Sequence, residues 1–277
     1  MFEKFKIKKK NKVYNPAPKK IVFLHIPKCG GTSIQKAIEK YYFNKNRKEK
    51  QTIHLDNIAS FKAGFILSEI HKKEMSNGIL VDDYYVLKLR EYLLLFYLCQ
   101  NSGFINGHFP FSNSAYEYFH KDYVFITFIR DPVKRWISEY LYNRFKKSKY
   151  RKIDLEIDDY LKTKYSLAQG YQFVKFLGGA SEDEDYTSSN AIERAKKNIH
   201  KIGIVGFLED QEGFTDNFFK YFGKKLTIEH LNKNPLYLSE SEKLITKEIM
   251  QRMQRIEAIC RPDLEVYHYA LENFSKH

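Results

Sequence analysis

The sequence predicts a three-layer α/β domain in which helices flank a mostly parallel central sheet. Three apolar segments rich in β-branched and aromatic residues, at 20–26, 122–129 and 201–209, are typical of strands that are buried on both faces. Each segment is followed by a stretch in which apolar residues recur at helical spacing. Strands that alternate with helices in this way indicate βαβ units and a parallel sheet.

The first unit runs from a strand through a glycine loop into a helix. The strand KIVFLHI is followed by PKCGG, and the segment TSIQKAIEKYY then places Ile34, Ala37, Ile38 and Tyr41 on one face. We therefore expect the N-terminus of the first helix to lie directly at the two glycines.

The middle of the chain contains a second unit of the same kind. Between Phe43 and Leu89 the periodicity is weak, and we expect a mixture of helix and loop there. REYLLLFYLCQ predicts a buried helix, and SGFING predicts a short strand that leads into GHFPF. The strand at 122–129 runs directly into RDPVKRWISEYLYNRF, where Asp131 is suited to cap a helix whose first turn holds Pro132.

The C-terminal part completes the alternation. Helices and an acidic polar loop, GGASEDEDYTSSN, precede the third strand, and a helix over GFTDNFFKYFG follows it. Ser239 and Glu242 form a capping box that predicts a helix over 240–256, and Pro262 is expected to open the last helix. We see no repeat or linker, and we therefore expect a basic arm at 1–19 and a single domain at 20–277.

The composition indicates a globular protein with anionic partners. Of the 277 residues, 43% are hydrophobic and 16% aromatic, the net charge is +13 and the pI is near 9.3. Phosphorylated cofactors, acidic glycans, nucleic acid and membrane surfaces all fit such a charge. Three widely spaced cysteines show no disulfide or zinc spacing, and we find no signal peptide or transmembrane segment. The sequence therefore predicts a cytoplasmic protein, with peripheral membrane contact left open.

The glycine loop has the features of a phosphate-binding site. Gly30 and Gly31 let an anion approach the backbone N–H groups and the positive end of the helix dipole. Thr32 and Ser33 supply hydroxyl donors. Because a helix N-terminus contributes only about 0.3–1 kcal/mol at an exposed site, a highly charged ligand would also need the positive charge of Lys28.

Two other function classes share some of these features. A P-loop kinase or NTPase carries G-x-x-x-x-G-K-[ST], in which the lysine follows the glycines, whereas Lys28 precedes them here. A non-enzymatic module that binds nucleic acid would need aromatic and basic residues interleaved on one exposed face. Most aromatic residues of this chain instead occupy apolar-periodic positions. Nucleic acid is therefore not an expected partner, although both alternatives stay open.

Three motifs, in this order along the chain, resemble those of sulfotransferases that use 3′-phosphoadenylyl sulfate (PAPS). HIPKCGGTS resembles their 5′-phosphosulfate loop, GHFPF the region of the acceptor-activating histidine, and FIRDPVKRWISEY the 3′-phosphate motif. The similarity is greatest to the carbohydrate branch, which includes heparan sulfate 2-O- and 6-O-sulfotransferases and bacterial relatives. The resemblance implies a P-loop-like version of the three-layer fold and a bacterial member of this branch.

The resemblance also implies a role for each motif residue. Lys28 would stabilise the charge on the leaving phosphate, and His108 would act as the general base toward the acceptor hydroxyl. Arg130 and Ser138 would bind the 3′-phosphate, since they lie about two helical turns apart. The other cofactor-binding residues would be those of the loop: Cys29, Gly30, Gly31, Thr32 and Ser33.

Several positions are assigned less directly. Related loops usually carry Thr where this chain has Cys29, so we expect backbone contacts rather than a side-chain contact there. Glu69 or Glu74 is the alternative base, with His120 and His230 as outside candidates. Arg135 is expected in a structural ion pair. Two residues of HLNKN are expected to close over the nucleotide: Asn232 and Lys233.

The implied reaction moves a sulfuryl group from PAPS to a hydroxyl of a carbohydrate acceptor by in-line displacement, and it releases adenosine 3′,5′-bisphosphate. No metal is expected, because a sulfuryl group carries less charge than a phosphoryl group. The basic composition fits an acidic glycan as the acceptor. We expect the choice of acceptor to depend on the region 43–89 and on the loop 181–190.

Overall fold

A computed structural model describes residues 20–43, 52–71, 81–149, 151–181, 185–229 and 240–275, with side chains excluded at 81–83 and 240–244. The predicted arm at 1–19 and the capping box lie outside the described residues or side chains. The same holds for four candidate site residues: Glu74, His230, Asn232 and Lys233.

Five parallel strands form the central sheet in the order β2-β3-β1-β4-β5. They are β1 (Lys20–Leu24), β2 (Thr52–His54), β3 (Phe104–Gly107), β4 (Tyr123–Ile129) and β5 (Ile204–Phe207). Strand β1 lies at the centre, where Val22 pairs with Ile105 of β3 on one side and with Phe125 of β4 on the other. The predicted α/β class with a parallel sheet is confirmed.

Helices cover both faces of this sheet and its ends. They are α1 (Gly31–Phe43), α2 (Asn57–Ile70), α3 (Val81–Cys99), α4 (Asn113–Phe119), α5 (Pro132–Phe145), α6 (Ile157–Tyr160), α7 (Lys164–Ala168), α8 (Gln172–Gly178), α9 (Ser189–Ile199), α10 (Gln211–Phe222), α11 (Glu240–Gln251) and α12 (Met253–Phe274), with a 3₁₀ turn at Gln169–Tyr171.

Residues of β1 alternate between two hydrophobic cores. Val22 and Leu24 belong to a core shared with α3, α8, α9 and α12, whereas Ile21 and Phe23 belong to a core shared with α1 and α10. This alternation is what the pleat of a strand requires, and it produces the predicted three layers. A third apolar cluster packs α5 against α6, α11 and α12, with the fully buried Trp136 among its members.

The two helices at the candidate site, α1 and α5, begin where the sequence signals predicted. Helix α1 begins at Gly31, directly after the loop. Helix α5 begins at Pro132, and the Asp131 carboxylate accepts a hydrogen bond from the Lys134 backbone N–H at 2.8 Å. Both helix N-termini therefore lie at the carboxyl edge of the sheet.

The region predicted as mixed helix and loop is more ordered than its sequence pattern suggests. It contains the edge strand β2, the helix α2 and the first part of α3. Strand β2 has only three residues, none of them fully buried, so it lacks the apolar run that identifies central strands. Among the helices, α4 was also not predicted.

The prediction that Pro262 opens the last helix is wrong. Helix α12 starts at Met253 and continues through Pro262, and the helix predicted over 240–256 is divided at Arg252. An internal proline costs about 3 kcal/mol. Buried residues on both sides of it, among them Cys260 and Val266, pack against neighbouring elements and offset that cost.

No helix within the described ranges is long and apolar enough to cross a bilayer. The division into an arm and a single domain stays a prediction.

Candidate active site

The three predicted motifs meet at one edge of the sheet. The glycine loop follows β1, His108 follows β3 and Arg130 follows β4, and these are the three adjacent central strands. Neighbouring strands are about 4.8 Å apart, so residues that directly follow them lie within side-chain reach of one another. The carboxyl ends of parallel strands are also where α/β proteins bind ligands.

The backbone of the glycine loop adopts a left-handed conformation at two positions. Gly30 has φ of +80°, and Lys28 has φ of +66° although it carries a side chain. A left-handed residue other than glycine costs roughly 1–2 kcal/mol. Such strain is typical of functional sites, where the surrounding structure holds a residue in place.

The Lys28 side chain lies against α5. Its Nζ atom is 3.8 Å from the centroid of the Tyr142 ring, and Tyr142 lies one helical turn beyond Ser138. Burial lowers the pKa of Lys28; Glu139 opposes this effect, whereas the guanidinium of Arg130 adds to it. The ammonium group is therefore placed on the same helix face as the predicted phosphate ligand Ser138.

Arg130 is attached to the loop directly. Its Nη1 atom donates a hydrogen bond to the Lys28 main-chain carbonyl at 3.4 Å. The charges that further lower the Lys28 pKa are all cations, namely Arg130, Arg135 and Lys146. This concentration of positive charge fits a ligand with several negative charges.

His108 is held in one tautomer by a main-chain contact. Its Nδ1 atom lies 2.5 Å from the His25 carbonyl oxygen, and the His108 carbonyl accepts a hydrogen bond from Arg90 at 3.3 Å. Because a carbonyl can only accept, Nδ1 carries the proton and Nε2 presents a lone pair. Burial lowers the pKa of His108 to about 4, so the ring is neutral near pH 7, and it is also a weaker base than an exposed histidine.

His25 lies close to both His108 and Gly31 of the glycine loop. Its ring lies 4.8 Å from the His108 ring and stacks on Phe23 at 5.4 Å. Burial lowers the pKa of His25 to about 3. A Cβ atom at Gly31 would lie only 2.2 Å from the His25 ring, so the glycine is needed for this close approach.

A Gly31→Ala variant is expected to lose about 1–3 kcal/mol of unfolding free energy, because the added methyl group displaces the His25 ring from a packed site. Urea denaturation measures this loss. Gly178→Ala is the matched control, since its Cβ would meet only the end of Arg194 at 3.3 Å. Equal stability of the two variants would contradict the expected crowding at His25.

The remaining loop residues differ in exposure. Thr32 is exposed and Ser33 is partly exposed, and the Ser33 backbone N–H donates to the Gly30 carbonyl at 3.2 Å. Cys29 is fully buried, its thiol lies 3.7 Å from the Pro27 carbonyl, and burial raises its pKa to about 12. The Cys29 side chain therefore belongs to the core, in keeping with the expectation that only its backbone is available to a ligand.

Arg135 is structural, but not in the way predicted. It is fully buried, and its guanidinium donates to the side chain and the carbonyl of Gln169. Asp263 is the nearby buried carboxyl group; burial raises its pKa to about 7, while Arg135 opposes this shift. No ion pair within 4 Å joins Arg135 to a described carboxylate, so the predicted ion pair is replaced by hydrogen bonds.

Two residues that contact the candidate site residues were not predicted from the sequence. Tyr142 contacts Lys28, and Arg90 bridges His108 to the carbonyl of Asn57 and the hydroxyl of Ser60. A weak signal existed for Arg90, because it directly precedes the apolar run of α3 and a buried cation is usually paired. Tyr142 carried no such signal, since aromatic residues are common throughout this chain.

A third histidine, His54, lies on the same sheet edge. His54 Nε2 is 3.0 Å from the Glu39 carboxylate, and its Nδ1 is 3.3 Å from the side-chain amides of Gln35 and Asn106. The alternative base Glu69 is exposed on α2. No group of His, Cys, Asp and Glu within the described part of the chain has the arrangement of a metal site.

Comparison with known proteins gives a distant similarity. No family model matches the chain. The chain is 29% identical over 202 residues to heparan sulfate 2-O-sulfotransferase 1 of Gallus gallus, covering 62% of this chain and 53% of that protein. For the proteins of the same name in Mus musculus and Homo sapiens the identity is 28% over 191 residues, with the same coverage.

The chain thus spans about half the length of the curated relatives it matches. The similarity supports a distant relationship to the sulfotransferases.

Proposed function

We propose that this protein is a PAPS-dependent O-sulfotransferase that acts on a hydroxyl group of a carbohydrate. The observation that carries the proposal is the convergence of the Lys28 loop, the oriented base His108 and Arg130 at the ends of three adjacent strands. The similarity to heparan sulfate 2-O-sulfotransferases also supports it.

The residues present fit a donor that carries several phosphate charges. The loop combines a left-handed Gly30, the N-terminus of α1 and the Lys28 ammonium, and Arg130 is bonded to the loop backbone. These groups would hold the 5′-phosphosulfate, while Arg130 and Ser138 would hold the 3′-phosphate. When bound, PAPS supplies the activated sulfuryl group.

His108 and Lys28 would have separate roles: His108 would accept a proton, and Lys28 would stabilise negative charge. The His108 Nε2 lone pair takes the proton of the acceptor hydroxyl while that oxygen forms its bond to sulfur. The Lys28 ammonium would stabilise the negative charge that the donor's phosphate oxygen gains as it gives up the sulfuryl group. The His25 carbonyl keeps the His108 ring in the required tautomer, and no further reactant is needed.

The acceptor is proposed by analogy. The relatives are named for heparan sulfate, which is an acidic carbohydrate, and this chain is strongly basic. Arg90 joins the first turn of α2 to the His108 carbonyl, so α2 is one element that the acceptor would approach under this proposal. A bacterial origin, a cytoplasmic location and independence from metal belong to the same proposal.

Binding of adenosine 3′,5′-bisphosphate tests the nucleotide site. We expect calorimetry without magnesium to show binding at least about tenfold tighter than that of AMP, since loss of one charge-assisted contact costs roughly 1.5–3 kcal/mol. Arg130→Ala should remove most of this preference. Arg261→Ala, at an exposed arginine of α12, is the matched control.

Equal affinity for AMP and adenosine 3′,5′-bisphosphate would contradict the proposed donor. Magnesium-dependent turnover of ATP would favour the kinase or NTPase alternative instead, and tight binding of nucleic acid without nucleotide preference would favour a binding module.

A further inference from the structure

The main chain leaves the central sheet directly before His108. The His25 N–H still donates to the Gly107 carbonyl at 3.0 Å, but His108 lies beyond the end of β3. Further along, the Phe111 N–H donates to the Phe176 carbonyl of α8 at 2.7 Å. The His108 carbonyl lies between these two anchored positions, and a carbonyl outside a strand ladder needs another hydrogen-bond partner where water is excluded.

Arg90 of α3 supplies that partner. Its Nη1 atom donates to the His108 carbonyl at 3.3 Å, while Nε and Nη2 donate to the Ser60 hydroxyl at 3.1 Å and to the Asn57 carbonyl at 3.2 Å. The residue is 8% exposed and lies one turn before the buried Leu94. A buried guanidinium is costly unless its N–H groups are bonded, and its rigid planar shape fixes the geometry of its partners.

His108 is therefore held at two points. Its ring is fixed by the contact between Nδ1 and the His25 carbonyl, and its main chain is fixed by the bond from Arg90. The first contact determines which ring nitrogen carries the proton, and the second determines where the ring is attached. If the main chain moved, the ring would lose the contact that selects its tautomer.

We propose that Arg90 is a positioning residue for His108: by joining the His108 main chain to the first turn of α2, it keeps the His108 ring in contact with the His25 carbonyl. Arg90 acts through His108 and touches no reacting atom. The alternative is that Arg90 only fastens α2 to α3, and the state of the His108 ring would then not depend on it. The kinetic consequence rests on the proposed function, whereas the effect on the ring does not.

The charge of Arg90 provides a second signature of this role. Burial lowers the pKa of His108, the bond to the His25 carbonyl opposes this effect, and the Arg90 guanidinium adds to the lowering. Two rings lie near His108, His25 at 4.8 Å and Phe176 at 6.4 Å, and only the first can titrate. Because a cation disfavours protonation of an imidazole, removal of the Arg90 charge should raise the pKa of His108, whereas a lysine at position 90 should keep it low.

Nitrogen-15 spectra of histidine-labelled protein at pH 7 test the proposal without any substrate. His108 is assigned by the signals that are missing from His108→Asn. We expect only the Nδ1–H tautomer of His108 in the wild type. In Arg90→Lys and Arg90→Met we expect a mixture of tautomers and a ring N–H that exchanges with solvent at least about tenfold faster. Arg144→Met is the matched control, because Arg144 also donates to main-chain carbonyls, those of Ile153 and Leu155, and it should leave the His108 signals unchanged.

Transfer assays separate the position of the base from the charge beside it. The kcat value should fall about 10–100-fold in both Arg90 variants, since a small misplacement of a reacting group has an effect of this size. The KM for PAPS should change little, because the implied donor contacts come from the Lys28 loop, Arg130 and Ser138. The acid limb of kcat/KM should move to higher pH in Arg90→Met and stay in place in Arg90→Lys.

Circular dichroism establishes that each variant is folded. Arg90→Lys keeps the charge and the approximate length of the side chain, so it carries the test if Arg90→Met is unfolded. A single unchanged tautomer of His108 in the folded Arg90 variants would overturn the proposal, whatever their activity. Mixed tautomers in these variants, together with no transfer by the wild type, would support the positioning role and count against the proposed function instead.

Discussion

Replacement of His108 by Ala is expected to lower the rate of sulfuryl transfer by about 10²–10⁴-fold, the usual contribution of a positioned general base. Binding of adenosine 3′,5′-bisphosphate should change little, because the implied nucleotide contacts come from the Lys28 loop, Arg130 and Ser138. A His108→Asn variant should be equally slow, although its side-chain amide can still donate to the His25 carbonyl. Transfer of labelled sulfate from PAPS to a panel of glycans measures the rate.

The exposed His120 on the C-terminal side of α4 provides a matched control, and His120→Ala should retain the wild-type rate. Full activity in both His108 variants would move the base role to another group, for which Glu69 would be the first described candidate.

The pH profile tests the same base in the wild-type protein. A general base works when it is neutral, and the neutral fraction of His108 falls only as the pH drops through its pKa of about 4. The acid limb of kcat/KM, which reports the free enzyme, is therefore expected well below the ordinary histidine value of 6.5. A limb at 6.5 that persists in the His108 variants would contradict this assignment.

Replacement of Lys28 should slow transfer strongly, and its effect on stability should depend on the new residue. We expect Lys28→Ala and Lys28→Gly to reduce the rate by about 10²–10³-fold, which is the typical loss when one group that stabilises transition-state charge is removed. The glycine variant should be more stable than the alanine variant by about 1 kcal/mol, because residue 28 has φ of +66°. Transfer assays and urea denaturation measure the two effects.

Lys134→Ala is the control for a lysine on the exposed side of α5. Retained activity in Lys28→Gly would remove Lys28 from the mechanism, and equal stability of the alanine and glycine variants would show that the left-handed backbone carries little strain.

The fold class could be predicted because it depends on local patterns. Continuous apolar strands followed by glycine or Asp-Pro signals identified β1 and β4, and their order placed Lys28 and Arg130 at one edge of a parallel sheet. His108 was recognised from a motif rather than from its environment. What holds it, the His25 main-chain carbonyl, has no signature in a sequence.

The failures arise where tertiary packing overrides local preference. Pro262 is accommodated inside α12 because the residues around it are buried, and β2 is stabilised by pairing with β3 rather than by its own apolar character. The contact between Lys28 and Tyr142 joins residues more than a hundred positions apart.

The buried thiol of Cys29 has a consequence for the chemical durability of the loop. Oxidants and electrophiles attack the thiolate, and they must also reach the sulfur. With a pKa raised to about 12 and no exposed surface, Cys29 meets neither condition, whereas Cys99 at the end of α3 is exposed. A change in the redox conditions around the protein would therefore modify Cys99 first and leave the glycine loop unchanged.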